Sequence, residues 1–182
     1  TKAGVSHITD MSFLCWTHWS FNQDIGGWDV SNVVNMRYMF TNTVFNQDIG
    51  GWDVSKVADM GHMFEADYAF NQDIGNWDVS NVTDMMNMFV STPLNQDIGS
   101  WDVSSVTNMR GMFYHTTAFN KDIGNWDVSN VNNMDRMFDD AQSFNQDIGN
   151  WNVSAVTSME EMFQEATIFN QDISSWNVSN VT

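Results

Sequence analysis

Basic residues are scarce in this sequence. Its 182 residues include 23 Asp or Glu but only 6 Lys or Arg, which gives a formal net charge of −17. Long-range repulsion would therefore oppose binding to a nucleic-acid backbone or to an anionic membrane. Cations and basic surfaces are the partners that electrostatics favours.

Cysteine is also nearly absent, and long apolar runs are missing. The single cysteine, Cys15, has no partner for a disulfide within the chain. No apolar stretch approaches the roughly 20 residues that a transmembrane helix needs. We therefore predict that this segment does not insert into a membrane.

Active-site patterns are lacking as well. The four histidines occupy different positions of the repeat described below and lack the spacing of a zinc site, so we expect exposed loop or helix residues at His7, His18, His62 and His115. The sequence shows no Ser-His or Cys-His arrangement and no phosphate-binding glycine loop. We predict that the protein is not an enzyme and has no cofactor, with Ca²⁺ as the one candidate ion.

What the chain has in abundance is one unit that returns every 24 or 25 residues. The unit Phe-Asn-Gln-Asp-Ile-Gly-x-Trp-x-Val-Ser contains a tryptophan in each copy, at Trp28, Trp52, Trp77, Trp101, Trp126, Trp151 and Trp176. Such a period is typical of a solenoid, and we predict a single solenoid domain over residues 1–182. A partial coil, 5–20, precedes about seven repeats that start at Phe21, Phe45, Phe70, Leu94, Phe119, Phe144 and Phe169. Because no atypical capping coil is evident, we expect a fragment of a longer protein.

Local patterns within the unit predict one short parallel strand and one short helix in each coil. Phe21 to Ile25 alternates, which would send Phe, Gln and Ile inward and Asn and Asp outward. From Ser31 to Phe40 the apolar residues are spaced by three and four, as on one face of a helix. The glycine after Ile indicates either a positive φ or a close approach by the neighbouring coil.

Two further columns of the repeat are expected to lie inside. The tryptophans keep a fixed register beside Val, so we expect them in the core rather than on a sugar-binding surface. The glutamines of the predicted strand would form stacked amides that bond to each other between coils. Lys121 interrupts that glutamine column.

The motif Trp-Asp-Val-Ser-Asn-Val-Thr-Asp-Met at Trp77 to Met85, with Met88 and Phe89 after it, resembles the BspA-like leucine-rich repeats of bacterial surface proteins. It is also similar to the Mycoplasma-type lipoprotein repeat of about 26 residues. The resemblance extends over essentially the whole chain. It implies a leucine-rich-repeat solenoid of α/β coils, a location at the cell surface or outside the cell, and a broad role in binding or adhesion. It does not imply a particular ligand.

Two polar columns of the predicted strand are candidate sites. Carboxylates stacked between coils would repel each other, and calcium bound between them could offset this repulsion. Alternatively, each Asp bonds to backbone amides of its own turn, or the columns bind a ligand directly. The candidate metal residues are Asp24, Asp48, Asp73, Asp97, Asp122, Asp147 and Asp172. The candidate ligand face consists of Asn22, Asn46, Asn71, Asn95, Asn120, Asn145 and Asn170.

A second acidic column follows the tryptophans. It consists of Asp29, Asp53, Asp78, Asp102 and Asp127, and it continues as Asn152 and Asn177. Since the amide is isosteric with the carboxylate, we predict a hydrogen-bonding role in a turn rather than a need for charge.

In a repeat protein that binds a ligand, the residues that depart from the repeat would determine its specificity. Such departures occur at Pro93 and Leu94 and at Tyr38, Tyr68, Tyr114, Arg37, Arg110 and Arg136. We predict a non-catalytic extracellular module that binds a protein or glycan on another surface. The alternative is a rigid spacer with an acidic, calcium-binding aspartate ladder.

Overall fold

The computed structural model describes residues 4–182. The predicted domain begins at residue 1, so its first three residues lie outside the described part of the chain. A hydrophobic core cluster extends along the chain from Met11 to Met162 and contains the repeated Phe, Ile, Trp, Val and Met side chains.

Successive repeats stack as coils that are joined by backbone hydrogen bonds. The N–H of Met36 donates to the carbonyl of Asp59 at 2.9 Å, and the N–H of Phe40 donates to the carbonyl of Met63 at 2.9 Å. Each contact joins residues one repeat apart. Isolated parallel bridges mark the same stacking and join Asp10 to Asn35, Asn35 to Asp59, Asp59 to Asp84, Asp84 to Asn108, Asn108 to Asn133 and Asn133 to Ser158.

The predicted fold class, a leucine-rich-repeat solenoid of α/β coils, is wrong. Residues 4–182 contain no helix, and their only β-type pairing is the set of isolated bridges. Each coil is instead a series of turns and bends. The hydrogen bonds explain why both predicted elements are missing.

The helix predicted from Ser31 to Phe40 is replaced by consecutive turns. Tyr38 and Asn42 each have a φ of 58°, whereas a helix requires about −63° at every position. The N–H of Met36 bonds to the next coil, and that of Met39 closes a turn onto the Met36 carbonyl at 3.2 Å. Equivalent left-handed residues are Phe13, Thr17, His62, Ala66, Asn87, Ser91, Gly111, His115, Arg136, Asp140, Glu161 and Glu165.

The strand predicted from Phe21 to Ile25 is absent because side chains make the bonds that a backbone ladder would make. The side-chain oxygen of Asn22 accepts the backbone N–H of Asn46 in the next coil at 3.0 Å. Asp24 accepts the N–H of Gly26 at 3.1 Å, which bends the chain locally. This segment is therefore extended without being paired as a sheet.

Aromatic rings stack in columns through the core. Phe64 lies 5.5 Å from Phe40 and 5.8 Å from Phe89, centroid to centroid, with nearly parallel rings. The prediction that the tryptophans are core residues is confirmed for Trp52, Trp77, Trp101, Trp126 and Trp151, which are 3–4% exposed. Their indole N–H groups bond to the preceding coil, as when Trp77 donates to the Ile49 carbonyl at 3.1 Å. The indole N–H donors are therefore hydrogen-bonded, although the rings are buried.

The glycine that follows Ile in the first six repeats is required by close packing. A Cβ built on Gly50 would lie 2.5 Å from the carbonyl oxygen of Asp73 in the next coil. Gly50 is not among the positive-φ residues. Of the two reasons that the sequence left open, close approach by the neighbouring coil is therefore confirmed.

Candidate functional site

The first aspartate column forms turns. One oxygen of each carboxylate accepts the backbone N–H two residues later, at 2.9–3.1 Å, and each side chain is exposed. The column contains Asp24, Asp48, Asp73, Asp97, Asp122, Asp147 and Asp172. This geometry gives each residue a role in the turn. The role in metal binding that we predicted for this column stays a prediction.

Within residues 4–182, no group of three or more His, Cys, Asp or Glu side chains is arranged to hold a metal ion. Calcium prefers six to eight oxygen ligands, with carboxylates among them. A calcium site in the aspartate column would therefore need ligands from several coils together with water.

The asparagine column forms a ladder between coils. The side-chain oxygen of Asn46 accepts the N–H of Asn71 at 3.0 Å and the side-chain N–H of Gln72 at 2.9 Å. The same backbone contact recurs along the chain for Asn22, Asn71, Asn95, Asn120 and Asn145. The residues predicted as a ligand face thus hold the coils together.

The glutamines take part in this ladder, and the prediction that they bond to one another is wrong. Gln96 donates to both the side-chain oxygen and the carbonyl of Asn71, at 3.0 and 2.9 Å. At Lys121 the glutamine is missing, and Asn95 keeps only its bond to the N–H of Asn120, at 3.1 Å. The Asn-Gln pair at a constant period was the sequence signal for this ladder.

The prediction that the second acidic column forms turns is confirmed. Asp78 accepts the N–H of Ser80 at 3.1 Å and its hydroxyl at 2.6 Å. Asn152, which has no charge, makes the same two contacts with Ser154, at 3.2 and 2.7 Å. Bonds from the following serine hold the pKa below its ordinary value at Asp53, Asp102 and Asp127.

A third column of turn residues coincides with the parallel bridges and was not predicted. Asp59 accepts the N–H of Gly61 at 2.8 Å, and Asp84 accepts that of Met86 at 2.8 Å. The Arg37 guanidinium lies 3.4 Å from both carboxylates. This arginine therefore joins three successive coils.

Variable residues gather on one side of the stack, which we call the turn side. It consists of residues 37–44 and their equivalents in the other coils, 12–20, 61–69, 86–93, 110–118, 135–143 and 160–168. Of the residues that depart from the repeat, Arg37, Tyr38, Tyr68, Pro93, Arg110, Tyr114 and Arg136 lie there. Leu94 does not, because it is buried in the core at the position of the repeated phenylalanine. The other sides repeat the Asn, Asp and Ser contacts described above.

The chemistry of the turn side changes along the stack. At one end Phe13, Tyr38 and His62 stack, with centroids 4.8 and 4.2 Å apart. Further along, ion pairs between coils join Arg110 to Asp135, His115 to Asp140 and Arg136 to Glu161. The turn side therefore offers aromatic groups at one end and charged groups at the other.

His62 is buried, so the prediction of an exposed residue is wrong at this position. It is 5% exposed, and its Nδ1 lies 2.6 Å from a carboxylate oxygen of Glu65. Its Nε2 has no hydrogen-bond partner among residues 4–182. His7, His18 and His115 are exposed, as predicted.

A cavity of about 350 Å³ opens on the turn side across three consecutive coils. Its lining includes Thr17, Trp19, Asn42, Val44, Ala66 and Tyr68. We call it the aromatic groove. Trp19 was not singled out from the sequence, although four of the other six repeats have threonine at this position.

Asp67 lies beneath the aromatic groove and is fully buried. Its carboxylate accepts the N–H of Phe45 at 3.0 Å and that of Ala69 at 3.1 Å. The turn from Phe40 to Phe45 is one residue shorter than the following turn, and Asp67 supplies the acceptor for the Phe45 N–H. In the longer turn before Phe119, the carbonyl of Thr116 accepts the Phe119 N–H at 3.1 Å instead.

The family model described as "Mycoplasma protein of unknown function, DUF285" matches residues 1–93 and again residues 90–182. The chain belongs to this family. The search of curated proteins gave no match.

Membership of DUF285 confirms the predicted likeness to a Mycoplasma-type repeat. The likeness to BspA-like surface proteins stays a prediction, whereas the leucine-rich-repeat coil that was assigned with it is wrong. In this DUF285 chain the stack is built from side-chain ladders and turns.

The described residues of this DUF285 chain also bear on membrane insertion. Over residues 4–182 the structure has no helix with the length and apolar character needed to cross a bilayer.

Proposed function

We propose that this DUF285 chain is a non-catalytic binding or adhesion module of a bacterial surface protein. The observation that supports this most directly is that the repeated contacts and the variable residues lie on different sides of the stack. The ladders use the same side chains in each coil, whereas the turn side differs from coil to coil. A rigid frame with one variable side is how repeat proteins present a binding surface.

Electrostatics narrows the class of partner in this proposal. The net charge of −17 opposes association with nucleic acid and with anionic membranes. Many of the carboxylates form turns through backbone N–H groups, so the charge is distributed along the frame. A protein or a glycan displayed on another surface is the partner that we propose.

The absence of catalysis is part of the proposal. Burial raises the pKa of the only thiol, Cys15, to about 11, which disfavours a thiolate nucleophile near neutral pH. His62 stacks on Tyr38 and bonds to Glu65, which gives it a packing role. The burial of Cys15 and the contacts of His62 therefore favour a structural function for both side chains.

The proposal can be tested by binding of the purified chain to bacterial and epithelial cells and to arrays of extracellular proteins and glycans. Variants on the turn side are Trp19→Ala, Tyr68→Ala, Arg110→Ala and Arg136→Ala. The matched ladder-side variants are Asn76→Ala, Asn125→Ala and Asn150→Ala, at exposed residues.

We expect saturable binding to at least one target and its loss in at least one turn-side variant, with the ladder-side variants unchanged. Binding that is lost only in ladder-side variants would place the site elsewhere. A folded chain that binds no target would overturn the proposal in favour of a rigid spacer.

A further inference from the structure

The aromatic groove owes its shape to three side chains at the same position of successive coils. Trp19, Thr43 and Tyr68 each lie two residues before the phenylalanine that begins a repeat. The middle coil presents a small side chain at this position, while both neighbouring coils present a large ring. The result is a cavity of about 350 Å³ with an aromatic wall on either side.

Both walls are exposed. Trp19 is 77% exposed and Tyr68 is 71% exposed. Within residues 4–182, neither ring stacks on another ring or forms a side-chain hydrogen bond, unlike Trp52, whose indole N–H bonds to the Ile25 carbonyl at 3.3 Å. Large amphipathic rings left open on a surface are typical of binding sites.

Charged side chains are absent from the lining of the groove, although the protein is strongly acidic. Among residues 4–182, no side chain of Asp, Glu, Lys, Arg or His lines it. Asp67, which lies beneath it, is fully buried, and backbone N–H groups bond to its oxygens. The lining therefore offers no counter-charge to an ionic ligand, and it favours a neutral one.

Several polar side chains around the groove form no hydrogen bond with the described residues. Asn42 has an exposed side chain, and its amide makes no hydrogen bond to the described residues. The hydroxyls of Thr17 and Tyr68 are likewise open to a ligand. Donors and acceptors beside flat apolar rings match a ligand that has an apolar face and a polar edge.

We propose that the aromatic groove binds a neutral glycan. A sugar ring has a face of C–H groups that can stack on Trp19 or Tyr68, and its hydroxyls can bond to the Asn42 amide. The volume lies at the small end of the about 300–1,000 Å³ typical of ligand pockets, which suits one or two sugar units. This inference rests on the proposed function, because it names the ligand class of one site on the turn side.

The test begins with an array of neutral oligosaccharides, namely maltotetraose, cellotetraose, chitotetraose and lacto-N-tetraose. Sialyllactose and heparin fragments represent acidic glycans, and choline represents a cation that aromatic rings also bind. Affinities for the sugars that bind are then measured by isothermal titration calorimetry.

Four variants connect binding to the groove. Trp19→Ala and Tyr68→Ala remove one wall each, and Val44→Trp fills the groove while both walls remain. Ile168→Ala is the control because it changes an exposed apolar residue on the turn of another coil. We expect each wall variant to weaken binding by about tenfold or more, as for aromatic residues at the centre of an interface. Val44→Trp should abolish binding, and Ile168→Ala should leave it unchanged.

The outcomes separate this inference from the proposed function. If no neutral sugar binds, or if all four variants bind equally well, the inference is wrong. Preferential binding of choline or of acidic glycans also overturns it. If the chain binds a protein target in the cell and protein-array experiments of the proposed function, that function stands without the glycan site.

Discussion

The side-chain oxygen of Asn46 accepts a hydrogen bond from the backbone N–H of Asn71 at 3.0 Å, one coil later in the chain. Gln72 adds a second bond to the same oxygen at 2.9 Å. A parallel sheet would join these segments through backbone carbonyls. Here the asparagine amide replaces the carbonyl, which allows adjacent coils to associate without a strand.

The first prediction concerns this ladder. Asn71→Ala removes the acceptor for the N–H of Asn95 and for the side chain of Gln96. We expect the free energy of unfolding to fall by about 1–2 kcal/mol, because these donors are partly open to water, which can replace part of the lost bonding. Urea denaturation followed by circular dichroism measures the loss.

Asn76→Ala is the control for that experiment. Asn76 is exposed, and its side chain forms no hydrogen bond with the described residues, so we expect a change within about 0.5 kcal/mol. Equal losses in the two variants would contradict the structural role of the asparagine column.

The second prediction compares two adjacent glycines. A Cβ on Gly50 would lie 2.5 Å from the backbone oxygen of Asp73, whereas a Cβ on Gly51 would have no atom within 4 Å. Gly50→Ala should therefore cost about 1–3 kcal/mol through forced separation of the coils. Gly51→Ala should be neutral or should stabilise the chain by up to about 1 kcal/mol, since it restricts the unfolded state. Thermal melts of both variants decide between these effects, and similar melting temperatures would refute the packing argument.

Much of the stacking could be predicted from the sequence because the period fixes which residues meet. The buried tryptophans and the glycine beside the next coil follow from side chains that recur in constant register. The helix from Ser31 to Phe40 could not be excluded in this way. Its apolar spacing of three and four also fits stacked turns, and left-handed φ values at residues such as Tyr38 leave no clear sequence signal.

For the candidate sites as well, some roles could be predicted from the sequence and others were missed. The turn role of Asp78 could be inferred because asparagine replaces the equivalent aspartates. The ladder role of Asn46 was missed, since its bonding partner is a backbone group 25 residues away. The aromatic groove was missed because it depends on the contrast between three coils at one position. Only a structure brings Trp19 and Tyr68 to the same cavity.

The third prediction concerns calcium. One oxygen of each carboxylate at Asp73, Asp97 and Asp122 is already bonded to the N–H of a glycine. We expect calcium to raise the melting temperature no more than magnesium does at fixed high ionic strength, with EDTA as the reference. A calcium-specific rise that disappears when these three residues are changed to Asn would instead establish a metal site.

The fourth prediction concerns pH and begins with the hydroxyl of Thr43. Its oxygen lies 2.8 Å from the carbonyl of Phe40 and 2.9 Å from a carboxylate oxygen of Asp67. The hydroxyl hydrogen of Thr43 is shared between these two acceptors, and its bond to Asp67 favours the ionised carboxylate. Burial acts more strongly in the opposite direction and raises the pKa of Asp67 from its ordinary value of 3.8 to about 6.

Protonation of Asp67 should therefore stabilise the fold. Because its pKa in the folded state is raised, the stabilisation is fully present below pH 3.8 and is lost as the pH rises through about 6. The shift corresponds to about 3 kcal/mol at most. Other carboxylates act in the opposite direction, since hydrogen bonds lower the pKa of Asp53, Asp102 and Asp127. The effect of Asp67 must therefore be measured as a difference from a variant.

Asp67→Asn is the matched variant because its amide mimics the neutral acid and does not titrate. We expect the stability of the unmodified chain, relative to this variant, to increase as the pH falls from 8 to 4. Urea denaturation across this range measures the difference, and most of the change should occur between about pH 6 and pH 4. Parallel curves for the two proteins would show that Asp67 has the same pKa in the folded and unfolded states, which would contradict the prediction.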